Sequence, residues 1–163
     1  MNSKQAIRAA MDLSQFVLNS YVGDLSDAEL MQRPTKPCNH LAWQLGHLIS
    51  SEVNLVNGVC PGKGGTLPAG FAEAHSKETI GSDDASKFHK KQEYLDLFQS
   101  VRAATVAALE SLPEADLDQP SPEWIRKNFP TMGEYWTLIG THAMMHAGQF
   151  AVVRRTLGKP IVM

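Results

Sequence analysis

Two histidines near the end of the chain, His142 and His146, are four residues apart in a segment with helical periodicity. This spacing places both imidazoles on the same side of a helix, one turn above the other. Both also fall at the centre of the apolar stripe of that segment, so their rings are predicted to face the interior. Because a buried imidazole without a partner costs about 1–3 kcal/mol, each ring needs one.

Two arrangements would give both imidazoles a partner. Each imidazole can bond a neighbouring side chain or carbonyl, or one divalent cation can bind both neutral rings. The spacing is H-x-x-x-H with Ala143, Met144 and Met145 between the histidines, so the glutamate general base of H-E-x-x-H zinc peptidases is missing. The residues alone leave both arrangements open, and a metal would need a third ligand from elsewhere in the chain.

Long amphipathic segments are predicted to position these residues. Residues 131–157 form one helix that begins at a capping box of Thr131 and Glu134. Three other segments keep the helical period, namely residues 3–21, 39–57 and 86–112. The glycine-rich connection over residues 58–86 fits a crossover between two parallel helices at opposite ends of a bundle. We therefore predict an all-α four-helix bundle that forms one domain over residues 1–163.

The composition argues against several classes of protein. With 163 residues, of which 43% are hydrophobic, the chain is long enough for one domain with a core. A net charge of −2 without a basic run argues against nucleic-acid binding. No apolar segment reaches the roughly 18 residues of a membrane span, and the N-terminus has no signal-peptide core, so a cytoplasmic protein is predicted. Cys38 and Cys60 lack metal-type spacing and are interpreted as reduced thiols.

The second long helix carries a further histidine, His47, on an unexpected side. Asn39 is the predicted N-cap of this helix, and His47 lies away from the apolar stripe, beside Trp43 and Ser51. A solvated face is the simplest interpretation of this side. A tryptophan is usually at least partly covered, however, so the same side could instead line a polar cavity.

Other titratable side chains are interpreted as structural or exposed. His40, His75 and His89 are predicted to face solvent, without a functional role for the last two. Glu52 lies near the apolar stripe of its helix. We expect it to be paired or partly exposed, with a general base as the alternative.

Two stretches resemble motifs of the DinB/YfiT-like family. Residues 39–48, NHLAWQLGHL, resemble its second-helix motif, and residues 141–149, THAMMHAGQ, resemble the H-x-x-x-H-x-G-Q motif of its last helix. The order of elements matches as well, with the long crossover between the second and third helices. The resemblance covers essentially the whole chain and implies a four-helix bundle of up-down-down-up order. Gly46 is a departure, since many relatives carry a bulkier residue there.

The resemblance also implies a metal site. Family members often carry a divalent ion, commonly zinc or nickel, on three histidines. Carried over residue by residue, these are His47, His142 and His146. Three nitrogen ligands leave a fourth position open for water, thiol or substrate, as in catalytic zinc sites.

Two classes of function are open on this basis. The resemblance implies a metal-dependent enzyme, either a thiol-dependent S-transferase or a hydrolase, whose partner is a small-molecule substrate and possibly a low-molecular-weight thiol. The alternative is a non-catalytic metal-binding bundle in a stress response. A homodimer is implied by the resemblance. Ser51, Asn54 and Gln149 could orient a ligand, although ordinary polarity is the simpler interpretation for each.

Overall fold

The computed structural model describes residues 1–161, and this part of the chain contains six α-helices. They are α1 (Ser3–Val22), α2 (Asp27–Leu30), α3 (Leu41–Val59), α4 (Phe71–Ala74), α5 (Lys91–Glu110) and α6 (Met132–Thr156). Over these residues there is no β-strand, only an isolated bridge between Pro120 and Thr131. The predicted all-α architecture is therefore confirmed.

A side-chain cap fixes where the last helix begins. The hydroxyl of Thr131 accepts from the backbone N–H of Glu134 at 3.3 Å. The carboxylate of Glu134 accepts from the backbone N–H of Thr131 at 2.8 Å. These bonds satisfy N–H groups that have no partner inside the helix, and α6 starts at the predicted capping box.

Two helix starts differ from the sequence prediction. The cap of α3 is His40 rather than the preceding asparagine, because Nδ1 of His40 accepts from the N–H of Trp43 at 3.0 Å. The start of α5 is Lys91, later than predicted. Residues 85–87 form a separate 3-10 turn, and Phe88 has extended backbone angles, φ −116° and ψ 154°. Apolar periodicity did not detect this break, because it is blind to the backbone angles of single residues.

The four long helices form a ring in which α1 and α3 each pack against both α5 and α6. Their apolar faces fill the interior in two clusters. The larger cluster includes Leu18, Leu45, Phe98 and Phe150, and the smaller includes Ile7, Val56, Leu109 and Trp136. Among the helices of residues 1–161, none is both long and apolar enough to cross a membrane.

The connection between α3 and α5 packs on α3. It contains α4 and two 3-10 turns, Lys77–Thr79 and Ala85–Lys87. The indole N–H of Trp43 donates to Oγ1 of Thr79 at 2.9 Å, and Phe71 of α4 is buried. This packing covers a second side of α3, which is why that side carries a large aromatic residue.

Candidate metal centre

The structure brings together three histidines from two helices. His47 lies on α3, and His142 and His146 lie one turn apart on α6. Their ring centroids are 5.5 Å apart for His47–His142, 5.5 Å for His47–His146 and 5.1 Å for His142–His146. One nitrogen of each ring lies within 4.8 Å of the corresponding nitrogens of the other two. We call these residues the histidine triad.

The triad fits a single divalent ion after a small adjustment. Zinc binds imidazole nitrogens tetrahedrally at about 2.0–2.1 Å, which places the ligand nitrogens about 3.3–3.5 Å apart. The triad nitrogens lie within 4.8 Å of one another, so rotations about the side-chain bonds can bring them to that spacing. Imidazole is also a donor that suits both zinc and nickel. The residues present therefore fit the kind of ion that the resemblance implies.

The position of His142 and His146 on α6 corrects the sequence prediction. Both are half-buried at the border of the buried face, not at its centre. The centre is occupied by small residues, because α6 lies close to α1: a Cβ on Gly140 would be 2.9 Å from Cγ of Met11. Apolar periodicity gives more weight to large side chains than to small ones, and this displaced the predicted stripe toward the histidines.

A hydrogen-bond chain from α3 fixes the orientation of His146. The side-chain NH₂ of Gln44 donates to the backbone carbonyl of Asn39 at 2.7 Å, which leaves Oε1 of Gln44 as an acceptor. Nδ1 of His146 lies 2.8 Å from that oxygen and therefore carries the proton. The lone pair is then on Nε2, the arrangement in which an outer-shell acceptor orients a metal-binding histidine.

Sequence reasoning did not single out Gln44. It is buried, with 2% of its surface exposed, and lies three residues before His47 on the same side of α3. That spacing was visible in the sequence. Its partner His146 is 102 residues away, and no local pattern connects the two.

The other two histidines are held less tightly by hydrogen bonds. The ring of His47 stacks on the indole of Trp43, with centroids 5.1 Å apart and planes within 9°. Its Nδ1 is 3.5 Å from the hydroxyl of Ser51, at the limit of a hydrogen bond. Within residues 1–161, no protein group makes a hydrogen bond to the ring of His142, so both of its nitrogens are available.

Burial keeps the triad neutral at physiological pH. Loss of solvent lowers the pKa of His142 to about 4, and the nearby His47 and Arg102 act in the same direction. Loss of solvent also lowers the pKa of His146 to about 4, with smaller effects from the other two triad rings. The pKa of His47 is lowered by burial as well. Neutral rings carry the lone pairs that a metal ion requires.

The triad borders an open cleft of about 290 Å³ between α3 and α6. Besides His47 and His142, its walls consist of Ser51, Asn54, Leu55, Leu138 and Met145. A second depression, of about 450 Å³, shares Leu138 and Met145 and extends toward the start of α6. Of the three polar residues considered from the sequence, Ser51 and Asn54 line the cleft next to the triad, whereas Gln149 does not.

Two other histidines were predicted to face solvent and are buried instead. His75 is 3% exposed: its Nδ1 donates to the carbonyl of Phe71 at 2.7 Å, and its Nε2 accepts from the hydroxyl of Tyr94 at 2.7 Å. His40 is 1% exposed and caps α3. Both predictions failed because the long connection folds over these rings. His89, also predicted to be exposed, is half-buried.

Gly46, the departure from the family motif, makes room for one of these rings. A Cβ at Gly46 would lie 2.1 Å from Cδ2 of His75, far inside van der Waals contact. The absence of a side chain therefore allows the His75 ring to pack on the backbone of α3. Packing of the His75 ring beside the triad therefore accounts for the glycine at this position of the motif. His47 itself still lines the cleft.

Glu52 is paired, as expected, but it is not exposed. Its Oε2 lies 2.9 Å from Nη2 of Arg102, and both residues are buried. Arg102 also donates to the carbonyl of Gly140 at 3.3 Å. Burial raises the pKa of Glu52, and the Arg102 guanidinium opposes that shift. Glu52 does not line the cleft, so the general-base alternative has no support in this geometry.

The chain also matches a known family over most of its length. The family model of the DinB superfamily matches residues 10–150, a stretch that contains all three histidines of the triad. No match was found among curated proteins or among solved structures. The match agrees with the all-helical architecture and with the two motifs of α3 and α6. The chain therefore belongs to the DinB superfamily.

Proposed function

We propose that this chain is a metal-dependent enzyme whose histidine triad holds one divalent ion. The observation that carries the proposal is that three ring nitrogens lie within 4.8 Å of one another beside a cleft of about 290 Å³. Three nitrogen ligands leave a coordination position for a further molecule, which distinguishes catalytic from structural zinc sites. Zinc and nickel are the ions that we propose, since both accept imidazole ligands.

The protein's own side chains have separate tasks in this proposal. Gln44 holds the proton of His146 on Nδ1 and keeps Nε2 available. Ser51 and Asn54 offer a hydroxyl and an amide to a molecule in the cleft. Leu138 and Met145 form the apolar part of its wall.

The character of the cleft favours thiol transfer over hydrolysis. A hydrolase commonly uses a carboxylate as general base, and Glu52, the candidate for that role, is buried in its ion pair with Arg102. When bound, zinc would lower the pKa of a coordinating thiol or of a coordinating water. Hydrolysis commonly also uses an acid that protonates the leaving group, and within residues 1–161 the cleft lining contains no carboxyl group for that role. We therefore propose a thiol-dependent S-transferase with a low-molecular-weight thiol as one substrate.

The non-catalytic alternative expects a different environment for the triad. A purely structural or storage site is closed, or it is covered by a partner. The position of His47 and His142 in the wall of an open cleft supports the enzyme instead.

A metal-dependence assay tests the proposal. Metal-free protein is titrated with zinc or nickel, and conjugation of several low-molecular-weight thiols to a chromogenic electrophile is followed. We expect conjugation to require the ion, to stop on addition of a chelator and to be lost in His142→Ala. Turnover that a chelator does not affect would rule out the mechanism.

Two other outcomes would replace the proposed class. Metal-dependent ester hydrolysis without thiol conjugation would favour the hydrolase. Stoichiometric metal binding without turnover of either kind would favour the non-catalytic bundle.

A further inference from the structure

The crossover contacts α3 at two positions just before the first triad residue. Residues 71–79, which we call the α4 segment, reach Trp43, one turn before His47, and Gly46, directly before it. The segment belongs to the connection between α3 and α5 and supplies no residue to the triad. Its contacts nevertheless lie next to the only triad residue that comes from α3.

The first contact fixes the indole of Trp43. Its Nε1–H donates to Oγ1 of Thr79 at 2.9 Å. The same hydroxyl donates into the backbone of the segment, 2.8 Å from the carbonyl of Ser76 and 3.0 Å from that of Ala74. Because Thr79 is bonded on both sides, it holds the indole in one orientation.

The indole in turn fixes the plane of His47. The two rings are within 9° of parallel at a centroid distance of 5.1 Å, and Trp43 is 7% exposed. The hydroxyl of Ser51, at 3.5 Å, is too distant to set the orientation of the imidazole by itself. Stacking on Trp43 is therefore the stronger constraint on His47.

The second contact prevents the segment from shifting along α3. The His75 ring fills the space where a Cβ of Gly46 would be, and it is bonded to the carbonyl of Phe71 and to the hydroxyl of Tyr94 on α5. The segment is thereby attached to two long helices at once. Its position against α3 is defined at the residue adjacent to His47.

We propose that docking of the α4 segment on α3 and metal binding by the triad are thermodynamically coupled through Trp43. Trp43 and Thr79 are then positioning residues for His47. An imidazole already held in one plane loses less conformational freedom when it binds an ion, and an indole face attracts the positive charge that ligation brings. Coupling of this kind is reciprocal, so the ion must strengthen docking by the factor by which docking strengthens metal binding. This inference rests on metal binding by the triad.

The first half of the test measures zinc affinity in metal-free protein by competition with a chromogenic chelator. Thr79→Val keeps the shape of the side chain and removes its hydrogen bonds, and we expect about tenfold weaker binding. The matched control is Thr156→Val, which removes a hydroxyl from an exposed site at the far end of α6 and should leave the affinity unchanged.

A double-mutant cycle distinguishes positioning from general damage. Trp43→Phe keeps an aromatic ring on His47 and removes the donor to Thr79. We expect it to weaken zinc binding about as much as Thr79→Val does, and the double variant should be no weaker than either single one. Additive losses, or a Thr79→Val affinity within twofold of wild type, would overturn the coupling.

The second half measures amide hydrogen exchange in the α4 segment with and without zinc. We expect zinc to slow exchange over residues 71–79 in wild type and to do so less in Thr79→Val, while α2 is unaffected. Unchanged exchange in a protein that binds zinc through the triad would overturn the coupling alone. Failure of wild type to bind zinc would overturn both the coupling and the proposed function.

Discussion

The two histidines under the crossover, His40 and His75, use their ring nitrogens differently from the histidine triad. Both nitrogens of His75 are bonded to protein, one to the carbonyl of Phe71 and one to the hydroxyl of Tyr94. His40 is bonded at both nitrogens as well, as the cap of α3 and at the carbonyl of Ser82. These rings have no lone pair left for a ligand.

The triad keeps nitrogens available. In His146, Nδ1 is bonded to Gln44 and Nε2 is available. Within the described chain, no protein group makes a hydrogen bond to the ring of His142. Burial does not separate the two groups, because it lowers the pKa of His75 to about 4 and that of His142 to about 4. A count of hydrogen-bond partners separates structural histidines from candidate ligands, and a pKa shift alone does not.

The largest expected effect comes from removing one histidine of each group, His142 or His75, and comparing zinc binding and stability in the two variants. His142→Ala should weaken zinc binding by more than about 100-fold, since loss of even an outer partner costs about 10- to 100-fold. It should change the stability of the metal-free protein by less than about 1 kcal/mol. His75→Ala should lower that stability by about 2–4 kcal/mol, because it opens a cavity and leaves Tyr94 without its partner.

Zinc titration and urea unfolding of both variants measure this difference. Because His75 belongs to the α4 segment, His75→Ala should still bind zinc within about tenfold of wild type. The reverse pattern, with metal lost in His75→Ala and kept in His142→Ala, would show that the two groups have been assigned the wrong way round.

Removal of the outer partner should have the next largest effect. Gln44→Leu keeps the size of the side chain and deletes the acceptor for Nδ1 of His146. We expect zinc binding to weaken by about 10- to 100-fold. The control is Gln149→Leu, which changes the glutamine of the family motif outside the cleft lining. Its zinc affinity should stay within about threefold of wild type. Equal losses in both variants would contradict the role of Gln44.

The pH dependence of the stability of the metal-free protein should follow its buried histidines. Burial lowers the pKa of His40, His75, His142 and His146 from 6.5 to about 4 in each case. Between these values the unfolded chain binds more protons than the folded one, so stability is complete above pH 6.5 and is lost as the pH falls toward 4. Each ring contributes up to about 1.4 kcal/mol per pH unit.

Unfolding of chelator-treated protein by urea across this pH range provides the measurement. His75→Gln removes one of the titrating rings and should make the dependence on pH shallower by about one proton. An unchanged slope in His75→Gln would show that this ring is not held neutral by the fold.

The smallest expected effect contrasts two glycines beside the histidines. Gly46→Ala places a methyl group 2.1 Å from the His75 ring and should cost about 2 kcal/mol of stability. Gly148→Ala has nothing within 4 Å and should gain about 0.5–1 kcal/mol, the usual benefit of alanine inside a helix. Thermal unfolding of the two variants is sufficient. Similar destabilisation by both would contradict the packing of His75 on Gly46.

Much of the fold could be predicted from local signals. The capping box of Thr131 and Glu134 and the helical period of four segments are encoded within a few residues, and the structure confirms them. The proximity of His142 and His146 follows from their spacing of four. His47 could be predicted as the third ligand only from the family resemblance, because it is about a hundred residues away in the chain.

The rest depends on contacts that no local pattern contains. The bond from Gln44 to His146 and the burial of His75 exist only after the bundle has formed and the crossover has folded over α3. The start of α5 was missed for a related reason, since Phe88 is extended where the periodic pattern continues. Side chains that orient a site, rather than form it, are therefore the least accessible to sequence reasoning.

The most direct test of the account is anomalous diffraction at the zinc edge from crystals grown with zinc. We expect one strong peak about 2.0–2.1 Å from a ring nitrogen of each of His47, His142 and His146, with Nδ1 of His146 still bonded to Gln44. No peak at the triad in protein that contains zinc, or a peak at His75 instead, would contradict the account.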